Sequence, residues 1–153
     1  MTFSKHLAAL AVIGLLSTTA LPALAQDGWI VKDSGASVEA TADKLVSAVE
    51  NAGAKVFARV DHAAGAESIG EDLPGMTMVM FGNPKIGTPI MKASPQAGID
   101  LPLRVLIWDE GGQTRIGYLD PAEFAARYQV EGADAALAAM TKALGNLTDA
   151  AAQ

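Results

Sequence analysis

A chain of 153 residues with 17 acidic against 11 basic side chains carries a formal charge of −6, and no basic run interrupts it. That balance argues against nucleic acid or an anionic membrane surface as a partner. Cysteine is absent, so thiol nucleophiles, thiolate metal sites and Fe–S clusters are excluded, and of the two histidines, His6 and His62, only His62 is expected in the mature chain, too few for a multi-imidazole zinc site within one chain.

The first 26 residues, "MTFSKHLAALAVIGLLSTTALPALAQ", place one lysine before an apolar stretch from Leu7 to Leu16, then Pro22 and Ala23-Leu24-Ala25. This is the charged, apolar and small-residue order of a secretory signal peptide, and the apolar part falls short of the about 20 residues a membrane span needs. The expected leader is residues 1–25, cleaved after Ala25, with export to the periplasm and no membrane span in the mature protein. Residues 26–153 then form one domain. Because His6 leaves with the leader, any imidazole chemistry in the mature chain rests on His62.

"WIVKDS" predicts a short strand. From Ser37, a good N-cap, Val38, Ala42, Leu45, Val49 and Ala52 follow helical spacing up to Gly53. "KVFARVDH" alternates Lys55, Phe57 and Arg59 against Val56, Ala58 and Val60, a strand with one wet face. "AAGAESIGEDLPG" predicts a short helix and a loop, and "MTMVMF", apolar on both faces, predicts an interior strand.

In "FGNPKIGTPIMK", Asn83 can cap a turn that begins at Pro84, with Thr88-Pro89 restarting a short helix that ends near Pro95. Two strands follow, Leu103 to Asp109 and Thr114 to Leu119, joined by Glu110-Gly111-Gly112-Gln113 as a hairpin. Asp120-Pro121 starts a helix through Phe124 and Tyr128, and a last helix is expected from about Ala133 to Leu147, with Leu137, Met140, Leu144 and Leu147 on one stripe. The order β-α-β-α-β-α-β-β-α-α predicts an α+β domain: a curved, mainly antiparallel sheet with a C-terminal hairpin, packed by helices.

The Gly82 to Pro89 stretch has the glycine spacing of a phosphate loop, but Thr88 stands in the lysine slot and Pro89 in the hydroxyl slot. Pro84 and Pro89 also lack the N–H groups a phosphate cradle uses. Lys85, Thr88 and Lys92 could still gather polar tips at a helix end. Met76, Met78 and Met80 share one strand face with Met91 nearby, which raises copper(I), although same-face thioethers about 7 Å apart do not share one ion unaided, and the favoured expectation is that these methionines fill an irregular core. His62 beside Asp61 at a strand end could act as a general acid or base, but adjacent strand residues point to opposite faces. Arg59, Arg104, Arg115 and Arg127 would pair with carboxylates, or, clustered in a cleft, recognise a carboxylate or phosphate ligand.

"FARVDHAAGA", "MFGNPKIGTPIMKASPQAGIDLPLRVLIWDE" and "IGYLDPAEFAARY", in this order and spacing, resemble the bacterial family known as domain of unknown function 302, over about Ser34 to Leu147. The resemblance implies a compact α+β domain with a curved sheet, able to form homodimers, and it supplies no activity or cofactor. Its matching positions include Asp61, His62, Asn83, Thr88, Asp100, Asp120 and Arg127; the family often places His where this chain has Tyr128. The leading expectation is non-enzymatic binding of a small polar ligand or protein partner in a strand-end cleft near His62, Asn83, Lys85, Thr88 and Asp100. The alternatives are an enzyme with His62 as general acid/base, and copper(I) handling through Met76, Met78, Met80, Met91 and His62.

Overall fold

The fold of residues 28–153 is described from a computed structural model; the expected leader lies outside the described residues. Five strands, β1 (Trp29–Ser34), β2 (Lys55–Asp61), β3 (Met76–Gly82), β4 (Leu103–Glu110) and β5 (Gln113–Leu119), form one sheet in the order β1-β5-β4-β3-β2. Every neighbouring pair is antiparallel. The helices are α1 (Val38–Asn51), α2 (His62–Glu67), α3 (Pro84–Ala93), α4 (Pro121–Arg127) and α5 (Asp134–Ala152), with a 3₁₀ segment over Pro95–Asp100.

The local signals act through identifiable hydrogen bonds. Ser37 caps α1 by accepting from the Ala40 N–H, and Asp120 caps α4 by accepting from the Ala122 N–H, with Pro121 behind it where no N–H is needed. The β4–β5 hairpin turns on Gly111 and Gly112, at φ +64° and +91°, the pair of positive values that a two-residue turn of this kind demands. Asp109 adds an acceptor for the Gly112 N–H at 2.9 Å.

One sheet face carries the core. Thr77, Val79 and Phe81 of β3, Val105 and Ile107 of β4, and Ile116 and Tyr118 of β5 are buried there against Leu45 and Val49 of α1 and Met140 and Leu144 of α5. Lys32 fastens the edge strand β1 to α5, donating to Thr148 Oγ1 at 2.8 Å, the Gly145 carbonyl at 3.2 Å and Asp149 at 2.5 Å. Ser34 and Thr41, hydrogen-bonded at 2.7 Å, tie the same strand to α1.

The opposite face differs from the sequence expectation. β3 is interior to the sheet, as "MTMVMF" predicts, but Met76, Met78 and Met80 do not fill the core. They lie half-buried on the far face, in register with Trp108, Leu106 and Arg104 of β4. Strand alternation gives the core to Thr77, Val79 and Phe81 and turns the methionines outward.

Two helix boundaries also differ. α3 runs unbroken from Pro84 to Ala93 with Pro89 inside it, instead of restarting at Thr88-Pro89. Asn83 accepts the Lys85 N–H at 2.9 Å and Ile90 is fully buried, so the cap and the core contact hold the helix across the missing Pro89 N–H. α5 continues five residues past Leu147, because Thr148 and Ala151 extend its buried stripe.

Candidate functional site

At the end of the sheet where β3 exits and β4 enters, two clefts lie side by side and share Leu103 and Met140. The first, about 270 Å³, opens between the start of β2, α3 and α5. Its walls include Phe57, Phe81, Ile86, Met91, Leu101 and Leu147, with Asn83 and Thr88 the polar side chains among them. Phe57 and Met91 remain 51% and 38% exposed, large apolar groups held in water at the mouth. Gly87 opens the α3 wall: a Cβ there would come only into ordinary contact with Leu101 and Met91, each at 3.8 Å.

The second cleft, about 320 Å³, follows from a split in the sheet. β4 remains paired with β3 down to Leu103, and β5 with β1 up to Leu119, but the β4–β5 register ends at Leu106 opposite Gly117. The parted strands leave a wedge lined from one face by Met78 and Leu106 and from the other by Phe124, Met140 and Leu144. Asp100, Arg104 and Arg127 are the charged residues on its walls.

Asp100 anchors that cluster. One carboxylate oxygen accepts from Arg104; the other accepts from the Tyr128 hydroxyl and, at 3.2 Å, from Arg127. The Tyr128 hydrogen bond, with the charge of Arg104 and the hydrogen bonds from Arg127 and Arg104 beside it, holds the Asp100 carboxyl below its ordinary pKa against the opposing effect of desolvation. The same hydrogen bond raises the Tyr128 phenol above its ordinary value. The Asp100 side chain is 15% exposed, whereas Arg104 and Arg127 are 45% and 55% exposed. Two guanidiniums sharing one carboxylate leave a net positive charge at the cleft.

The residues expected to share a site are therefore distributed. Asn83 and Thr88 line the first cleft, Asp100 lines the second, and Lys85 is exposed on α3 outside both linings. His62 stands at the other end of the sheet: β2 runs seven residues between the Lys55–Gly82 pair and the Asp61–Thr77 pair, a separation of about 20 Å. Its neighbour Asp61 caps α2 by accepting the Ala64 N–H at 2.9 Å. Met91 belongs to α3 and the first cleft, apart from the strand row of Met76, Met78 and Met80.

The apolar lining of the first cleft was missed from sequence, although one signal pointed to it: Phe57 sits on the wet face of a strand between Lys55 and Arg59. Of the four arginines expected either to pair with carboxylates or to cluster in a cleft, Arg104 and Arg127 are joined by Asp100, four residues before one and 27 before the other.

Residues 30–147 match the family described as "Domain of unknown function DUF302". A fluoride-specific ion channel FluC 1 of Brucella suis biovar 1 is 35% identical over 134 residues, covering 86% of this chain and 53% of that one. A FluC 2 of Brucella melitensis biotype 1 is likewise 35% identical, over 86% of this chain and 50% of its own. This chain thus spans about half the length of the curated relatives it matches. An uncharacterized conserved DUF302 protein from Bacillus stearothermophilus shares the fold, with a TM-score of 0.74 at 18% identity, over 81% of this chain and 98% of that one.

Proposed function

The chain belongs to the DUF302 family, and we propose that it is a non-enzymatic binding domain that takes a small apolar ligand into the cleft between β2, α3 and α5. The observation that carries this reading is the lining itself: apolar side chains from both layers converge on one opening, while Phe57 and Met91 stay exposed at its edge. Exposed aromatic and thioether groups around a concave apolar surface favour a ligand with matching chemistry. A dry cavity of about 150 Å³ accommodates benzene, so about 270 Å³ suits a molecule of roughly ten non-hydrogen atoms. A polar ligand is less favoured, because Asn83 spends its oxygen on the α3 cap.

The proposed setting is the periplasm, reached by removal of residues 1–25. The charged, apolar and small-residue order of that segment supports it. A homodimer is proposed through the sheet face that carries Met78, Met80, Leu106 and Trp108, whose half-buried apolar row would be covered by a second copy. The Brucella relatives carry fluoride-channel names on longer chains, of which about half is matched; among the described residues here no helix is long and apolar enough to cross a membrane, and channel activity forms no part of the proposal.

Titration with a small apolar fluorophore that the cleft can hold, 1-aminonaphthalene, tests the ligand reading. Saturable enhancement by the folded chain, lost in a folded Gly87→Leu variant whose new side chain fills the cleft, is the expected result. Equal enhancement by both would remove the cleft as the binding site.

A further inference from the structure

The geometry points to a second site, in the wedge between β4 and β5, for a medium-length alkyl carboxylate whose headgroup meets Arg104 and Arg127 while its chain enters the apolar walls. The wedge joins two features that together specify such a molecule. Its body is apolar, formed by Met78, Leu106, Leu119, Phe124, Met140 and Leu144, and its charged residues are two arginines and one aspartate. At about 320 Å³ it holds a molecule of roughly a dozen non-hydrogen atoms on the benzene scale, which an eight-carbon acid satisfies.

The charge arrangement selects an anionic head. Asp100 engages one terminal nitrogen each of Arg104 and Arg127, and a guanidinium has five N–H donors. The internal carboxylate therefore holds both guanidiniums while using only part of their donor capacity. A second carboxylate would find a fork already ordered by Asp100, with Tyr128 fixing Asp100 from behind. An incoming cation would meet two like charges against one opposite charge.

The site is distinct from the cleft beside α3: the two share Leu103 and Met140, but no arginine lines the first. Isothermal calorimetry of the purified chain with octanoate, and with octanol as the uncharged control, tests the assignment. The expected result is octanoate binding at least tenfold tighter than octanol, weakened at least tenfold in Arg104→Gln/Arg127→Gln and unaltered in Gly87→Leu. Backbone amide shifts of the unsubstituted chain provide a measurement that does not depend on any variant folding. On adding octanoate they should move around Asp100, Arg104, Leu119 and Arg127. No octanoate binding, equal affinity for octanol, full affinity in the double variant, or shifts confined to Phe57, Gly87 and Met91 would each overturn the assignment. The last outcome would leave the cleft beside α3 intact as a site.

Discussion

The hydroxyl of Tyr128 donates to the carboxylate of Asp100, joining the end of α4 to the turn that enters β4 across 28 residues of chain. Arg104 and Arg127 complete the shell, so the carboxylate is charged, largely buried and fully partnered. In Asp100→Asn one of the two accepting oxygens becomes an NH2 that cannot accept, so either Arg104 or the Tyr128–Arg127 pair loses its acceptor, and we predict a stability loss of about 1–2 kcal/mol at pH 7, moderated by the solvent around both arginines. Urea unfolding measures it.

The same carboxylate sets a pH dependence with a defined sign. Its folded pKa is depressed, so between that value and the unfolded value of about 3.9 the unfolded chain binds more protons, and stability rises with pH. The contribution of Asp100 is therefore fully present above about pH 5 and is lost as pH falls through the folded value. The stability difference between the natural chain and Asp100→Asn should be constant from pH 6 to 7 and shrink below pH 4; a difference independent of pH down to 3 would count against the assignment.

Gly117 lies under the Trp108 ring. A Cβ there would stand 3.1 Å and 3.2 Å from two ring carbons and 3.2 Å from the Ile30 carbonyl oxygen, and the backbone oxygen cannot step aside. Gly117→Ala should cost about 1–3 kcal/mol through overpacking and shift the tryptophan emission as the indole is displaced. Unchanged stability and emission would mean that the ring and strand adjust freely.

Gly87 gives the opposite sign. It lies within α3 at a negative φ, and the space beyond it accepts a methyl group at ordinary contact distance. Gly87→Ala should raise stability by about 0.5–1 kcal/mol through helix propensity and the reduced freedom of the unfolded chain, as read by a higher denaturant midpoint at constant slope.

Lys32 reaches three acceptors on α5 from the edge strand β1. Lys32→Met keeps the stem but leaves Thr148 and Gly145 without this donor. A loss of about 1–2 kcal/mol, with faster amide exchange in β1 than in β3, is the expected outcome.

The element order was legible because its signals are local. Ser37, Asp120-Pro121 and the Gly111-Gly112 turn act within a few residues and occupy the positions their chemistry requires. The course of α3 was not legible, since Pro89 is a local breaker overruled by Ile90, whose buried contacts come from distant chain segments. The methionine row was misjudged for a related reason. Both faces of β3 are apolar, and only tertiary structure decides which one receives the helices. The site residues suffered most: Asn83, Thr88 and Asp100 do gather at one sheet end, but the register that sends His62 to the opposite end is a property of the whole β2–β3 pairing.

Native mass spectrometry of the protein purified from its own host tests the central claim, a small apolar ligand in the cleft beside α3, most directly. The chain should carry an added mass equivalent to roughly ten non-hydrogen atoms, released on unfolding and missing from Gly87→Leu purified in the same way. An unadorned polypeptide mass under gentle conditions, or the same adduct on Gly87→Leu, would contradict it.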